Sequence, residues 1–237
     1  MFNLHTADTI VSGGAFILAY LFSVTIAGAL TARIIAALGD KTAQTLGFTI
    51  PNPLIHIDIL GFICFLITGL GWGQRIPVDI NQLGYRFHRL RVLGAFLAES
   101  VVHILLALIS ITILILYLGP GALRVTMPMF AFYDLLTFRI LTQAYPALSS
   151  LNIVLAFIIV SMVFLNTMCA TLSFLMNGFR YTTDLLITRY GSLGRYTELI
   201  MLLVPLTLIF VFGSPLRIFI IKTVCTLGIM LGSSCAA

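Results

Sequence analysis

Charge is scarce in this chain. Lys, Arg, Asp and Glu make up 9% of its 237 residues, against about 25% in an ordinary soluble domain. Apolar residues make up 60%, and mean hydropathy is +1.11. A water-soluble fold of this size could not hide that much apolar surface, so a separate soluble domain is excluded. Cysteine is sparse too: Cys64, Cys169, Cys225 and Cys235 form no CxxC pair. This excludes a thiolate zinc cluster and a dithiol redox motif, and leaves cysteines that read as small buried hydrophobes. The first residues lack a basic stretch followed by a small-residue cleavage site, so no removable signal peptide is expected. The net charge is +5, but there is no basic face interleaved with aromatics, so nucleic acid is excluded as a partner. The cations gather at the ends of apolar runs, where they anchor to lipid phosphates.

What is present is apolar length. A spanning helix needs about 20 apolar residues to cross about 30 Å of hydrocarbon. Runs of that kind cover about 12–38, 54–73, 92–118, 151–178 and 198–213, with a possible sixth over 216–232 beyond the break at Gly213-Ser214-Pro215. The expectation is an all-α integral membrane protein, a bundle of 5–6 transmembrane helices forming a single transmembrane domain over 1–237. Residues 122–150 mix aromatics with Asp134 and Arg139, which suits an interfacial helix or a loop folded onto the bundle. The connections 74–91 and 179–197 hold seven Arg, so the positive-inside rule favours their side as cytoplasmic.

Three strings interrupt the apolar runs: Gly39-Asp40-Lys41-Thr42-Ala43, then Asn52-Pro53-Leu54-Ile55-His56-Ile57-Asp58, then Gly71-Trp72-Gly73-Gln74-Arg75-Ile76-Pro77-Val78-Asp79. In order and spacing they resemble the strings GDxTA, NPLxHIDPxG and GWxxPVPVN of small bacterial site-2 proteases, the intramembrane zinc metalloproteases. Arg189-Tyr190-Gly191 before an apolar run is a weaker fourth match. The resemblance is specific over about 35–80 and loose after 95, and it implies a site-2-protease-like core.

Members of that family hold zinc with an HExxH helix, whose two imidazoles lie one turn apart, and with the Asp of a later LDG motif. Counted back from Gly39-Asp40, the HExxH position falls on Ala27-Gly28-Ala29-Leu30-Thr31. The run 12–38 contains no His, Cys, Asp or Glu. The LDG position falls on Met176-Asn177-Gly178, so Asn177, a neutral amide, stands where the carboxylate should be. Ala27, Gly28, Thr31 and Asn177 are thus degenerate positions of a lost centre. No catalytic residue, no zinc and no other cofactor are expected.

The ionisable groups left in or near the spans each call for a reason, since each costs about 2.5–3.5 kcal/mol at mid-bilayer on the insertion scale. Glu99 and His103 are one turn apart on one helix face. They suit a replacement metal site, with Asp58 and His56 as further candidates, or a proton-handling pair, or a pair satisfied within the bundle. Asp58 also suits a cap at the start of the second run. Asn166 and Asn177 suit hydrogen bonds between helices, and Arg33 can snorkel to the interface.

The functional expectation is a catalytically inactive site-2-protease-like protein, a pseudoenzyme acting as a structural or assembly subunit among other integral membrane proteins, in a bacterial inner membrane or an organelle membrane. Two alternatives stand beside it: an active metalloprotease with its metal moved to Asp58, Glu99 and His103, and a proton- or ion-conducting component using Glu99 and His103.

Overall fold

The computed structural model describes residues 4–122 and 136–190, together with Leu203, Thr207, Ile218, Lys222 and Thr226. The regular elements among the described residues are helices, with one isolated antiparallel bridge between Ile57 and Gly73. The elements are α1 (Leu4–Leu38), α2 (Thr42–Thr45), α3 (Pro53–His56), α4 (Ile59–Thr68), a 3-10 turn (Ile80–Gln82), α5 (His88–Leu118), α6 (Leu136–Ala144) and α7 (Ser150–Tyr190).

Within these, Asp8–Leu38, His88–Leu118 and Ser150–Tyr181 are long and apolar enough to cross a membrane. Each closes a complete internal backbone ladder, which is what the hydrocarbon phase demands of a span. Their ends are local: α1 stops at Gly39 and α5 at Gly119, both at positive φ, which glycine adopts without Cβ strain.

The apolar run 54–73 behaves differently from the span expected there. It holds only the four-residue α3 and the ten-residue α4, and at 1.5 Å per residue α4 reaches about half the hydrocarbon thickness. The cause is local. Asn52 caps α3 through Leu54 N at 3.1 Å, Asp58 caps α4 through Gly61 N at 2.7 Å, and Gly69 ends α4 in the left-handed region at φ 71°. Residues 54–73 therefore form a broken segment of two short helices and an extended return. Part of the mixed stretch is the helix α6. The expected spans over 198–213 and 216–232 lie outside the described residues.

The chain divides into two compact units, one of residues 1–23, 104–167 and 215–237 and the other of residues 24–103 and 168–214. The first is held by aromatic packing and buried polar links. Phe138 meets Phe157 edge-on at 5.7 Å between centroids, and Phe16 lies 6.5 Å from Phe164. Asn166 Nδ2 donates to Ser23 Oγ at 3.0 Å and to the Met162 carbonyl at 2.8 Å, an interhelical bond of the kind that joins apolar helices.

The second unit carries the three strings. Its core packs Ala32, Ile35, Ala43, Ile76, Leu83, Val92, Ala95 and Phe96 together. Gly28 on α1 lets the ring of His56 approach the helix backbone closely. Arg91 ties the start of α5 back to α1, its Nη1 donating to the Leu38 carbonyl at 2.6 Å.

Candidate functional site

The strings hold one another through buried hydrogen bonds. Asp40, wholly buried, accepts from Thr42 N at 2.8 Å through Oδ1 and from Asp79 N at 2.6 Å through Oδ2. One carboxylate thus starts α2 and fixes the end of the third string. The second and third strings join where Gln74 N donates to the His56 carbonyl at 2.7 Å, beside the Ile57–Gly73 bridge. Gly61 lies so close to the Trp72 carbonyl that a Cβ there would collide with it. That close approach requires glycine.

His56 links this frame to α1. Its ring is 1% exposed and packs edge-on to Phe48, with centroids 5.8 Å apart. Nε2 lies 3.0 Å from the Ile50 carbonyl and so carries the proton in that contact, while Nδ1 has no hydrogen-bond partner. Burial lowers the pKa of the imidazole from its ordinary value, with the Ile50 carbonyl opposing the shift. The ring lies against Gly28, where any Cβ would collide with it. The volume a side chain at position 28 would need is therefore filled by His56. Gly28 is where the resemblance would place the glutamate of HExxH.

Thr31, Glu99, Asn177 and Ser173 line one cavity of about 40 Å³, with Arg75 and Arg180 also at its wall. Three separate helices, α1, α5 and α7, supply these residues. Asn177 Nδ2 donates to Glu99 Oε2 at 3.1 Å. Thr31 Oγ1 is buried without a hydrogen-bond partner. Arg180 stacks 5.7 Å from the Phe96 ring centroid. Burial, and then the neighbouring Arg180, lower the pKa of Arg75, opposed by Asp58 and Glu99.

Two degenerate positions of the expected zinc centre, Thr31 and Asn177, thus meet at one cavity together with Glu99. Ser173, Arg75 and Arg180 were not among the candidate residues. Helical spacing could have supplied two of them, since Ser173 and Arg180 lie four residues before and three after Asn177 and share its face. The other candidates stand apart from the cavity wall. Ala27 is buried in α1, Asp58 is engaged as the α4 cap, and His103 is buried on α5.

The residues at the cavity do not fit zinc. A zinc site needs about three imidazole, thiolate or carboxylate donors, and the wall offers one carboxylate, a hydroxyl and an amide. Among the described residues no three of His, Cys, Asp and Glu come together as a metal-holding group. Cys169 does not line the cavity; it is buried, with its Sγ donating to the Gly71 carbonyl at 3.6 Å. The cavity is large enough for one or two ordered waters, and one bound there would satisfy Thr31 Oγ1.

A stretch of 83 residues is 35% identical to a protein of Bacillus subtilis (strain 168) described as "Putative zinc metalloprotease YwhC". The match covers 35% of this chain and 37% of that relative, so the chain spans little more than a third of the protein it matches. No family model matches the chain, and no solved structure does.

Proposed function

We propose that this protein is a catalytically inactive, multi-pass relative of the site-2 proteases that serves as a structural or assembly subunit for other integral membrane proteins, its chain forming a single membrane domain in a bacterial inner membrane or an organelle membrane. The observation that carries the reading is a contrast within one unit. Positions 27, 28, 31 and 177 offer no metal-binding donor set, while Asp40, Asp58 and the His56 carbonyl still hold the three strings in a hydrogen-bonded frame. The match to a protein named as a zinc metalloprotease supports the ancestry. The role among partners follows from it: a frame kept without its chemistry is of use as a surface for another apolar helix.

Extraction in mild detergent followed by mass spectrometry tests this directly. Stable companion membrane proteins in fixed ratio are expected, with no stoichiometric zinc in the purified chain. A monodisperse monomer without companions overturns the assembly role, and one tightly held zinc per chain overturns the inactive reading in favour of a rearranged centre. Proton flux in proteoliposomes that Glu99→Gln abolishes would instead establish a conducting role.

A further inference from the structure

A second cleft in the same unit has no place in that reading. It measures about 500 Å³ and is lined by Arg33 and Ala36 of α1, Gln44 of α2, and Thr49, Ile50 and Pro51 of the loop that follows. Arg33 lies five residues from the end of α1, the depth at which a spanning helix leaves the hydrocarbon. Its Nε donates to the Thr49 carbonyl at 3.2 Å, which fixes the plane of the guanidinium and leaves its two terminal amino groups without a protein acceptor among the described residues. No described carboxylate pairs with it.

The surroundings of this arginine are apolar. On α1, Leu30 and Ile34 are exposed beside it, and Leu46 and Ile50 are exposed on the loop, with Leu54 85% and Ile59 79% exposed just beyond. Residues of this kind so freely exposed in a membrane protein face lipid rather than water. A cation held there needs an anion, and an oriented guanidinium offers two parallel N–H donors that match two phosphate oxygens.

We propose that this cleft is a binding site for an anionic phospholipid. The phosphodiester is held by Arg33 with the Gln44 amide as a second donor, and an acyl chain lies along the exposed Leu30 and Ile34. A zwitterionic lipid competes poorly, because its own cation already accompanies the phosphate. Free inorganic phosphate lacks the chain that the apolar face receives.

The full chain, purified in mild detergent, tests this by its melting temperature in mixed micelles and by lipid retention in native mass spectrometry. Phosphatidylglycerol should raise the melting temperature, while equal phosphatidylcholine and equal inorganic phosphate should not. Arg33→Gln should lose at least half of that rise and retain at least threefold less phosphatidylglycerol. Arg33→Lys, which keeps the charge and loses the fork, should fall between. Arg139→Gln, at an arginine 3.9 Å from Asp8 in the other unit, should respond as the wild type does. An unchanged response in Arg33→Gln overturns the site, as does an equal response to phosphatidylcholine or to phosphate. Should Arg33→Gln fail to fold, unchanged retention in Arg33→Lys and in Gln44→Ala overturns it.

Discussion

Two stretches of one unit contrast sharply: the face of α1 at 27–31, and the segment 39–84 that folds against it. The first presents alanine, glycine and threonine where the resemblance would place metal ligands. The second keeps a buried carboxylate with two backbone donors, two helix caps and a backbone bridge. The contrast teaches that these strings have structural work of their own. Asp40 orders two loops whether or not a metal lies beside them, and its removal would leave buried N–H groups without acceptors. The α1 face at 27–31 offers no such hydrogen bonds to the strings, and the space beside Gly28 is filled by the ring of His56.

The largest test of that contrast is Asp40→Ala. It deletes both acceptances, each worth about 1.5–3 kcal/mol for a charged acceptor, and should lower the thermal midpoint in detergent by more than Ala27→Gly, which costs about 1 kcal/mol in a helix. An equal effect of Ala27→Gly and Asp40→Ala would erase the distinction between frame and face.

Next comes Gly28→Ala, which drives a methyl into His56 and should cost about 1–3 kcal/mol as overpacking does. His56→Ala should relieve it, so that the double variant is more stable than the sum of the two losses predicts. Strict additivity would remove His56 from the α1 face.

Asn177→Leu should cost about 1 kcal/mol, leaving Glu99 without its amide donor. Glu99→Gln added to it should cost little more, since the two share one bond. A midpoint unaffected by Asn177→Leu would break the link between α5 and α7.

The smallest effect is one of pH. The folded His56 pKa is lowered by burial, so near and below 6.5 the unfolded chain binds the proton more readily. The stability present above pH 6.5 is therefore lost as pH falls toward the folded value. The midpoint should drop on acidification from pH 7, and His56→Gln should flatten that slope. An identical slope in both proteins would show that His56 does not titrate between the two states.

Much of this was legible residue by residue. Asp58 reads as a cap because a carboxylate three residues before a glycine amide at a helix start has that use, and it makes that bond. Asn166 reads as interhelical glue because an amide among apolar residues needs a partner, and it meets Ser23. The runs 12–38 and 92–118 end just before Gly39 and Gly119, and both glycines take up positive φ in the structure. The run 54–73 was not legible in full: its apolar count matches a span, while the caps that divide it act through three-dimensional hydrogen bonds. The reading of Glu99 and His103 used only their shared helix face. Glu99 also bonds across to Asn177, a partner on a separate helix that spacing along α5 does not name.

By itself, the sequence determined that this protein is helical and made for a membrane, because hydrocarbon admits only long apolar segments with closed backbone ladders. It also determined that the run 12–38 carries no imidazole, thiol or carboxylate side chain. Only the tertiary structure decided that Thr31, Glu99 and Asn177 share one cavity, that His56 fills the space above Gly28, and that Arg33 opens onto a cleft. Each of these depends on which faces of separate helices and loops come within about 4 Å of one another. Periodicity along a single chain carries no record of that.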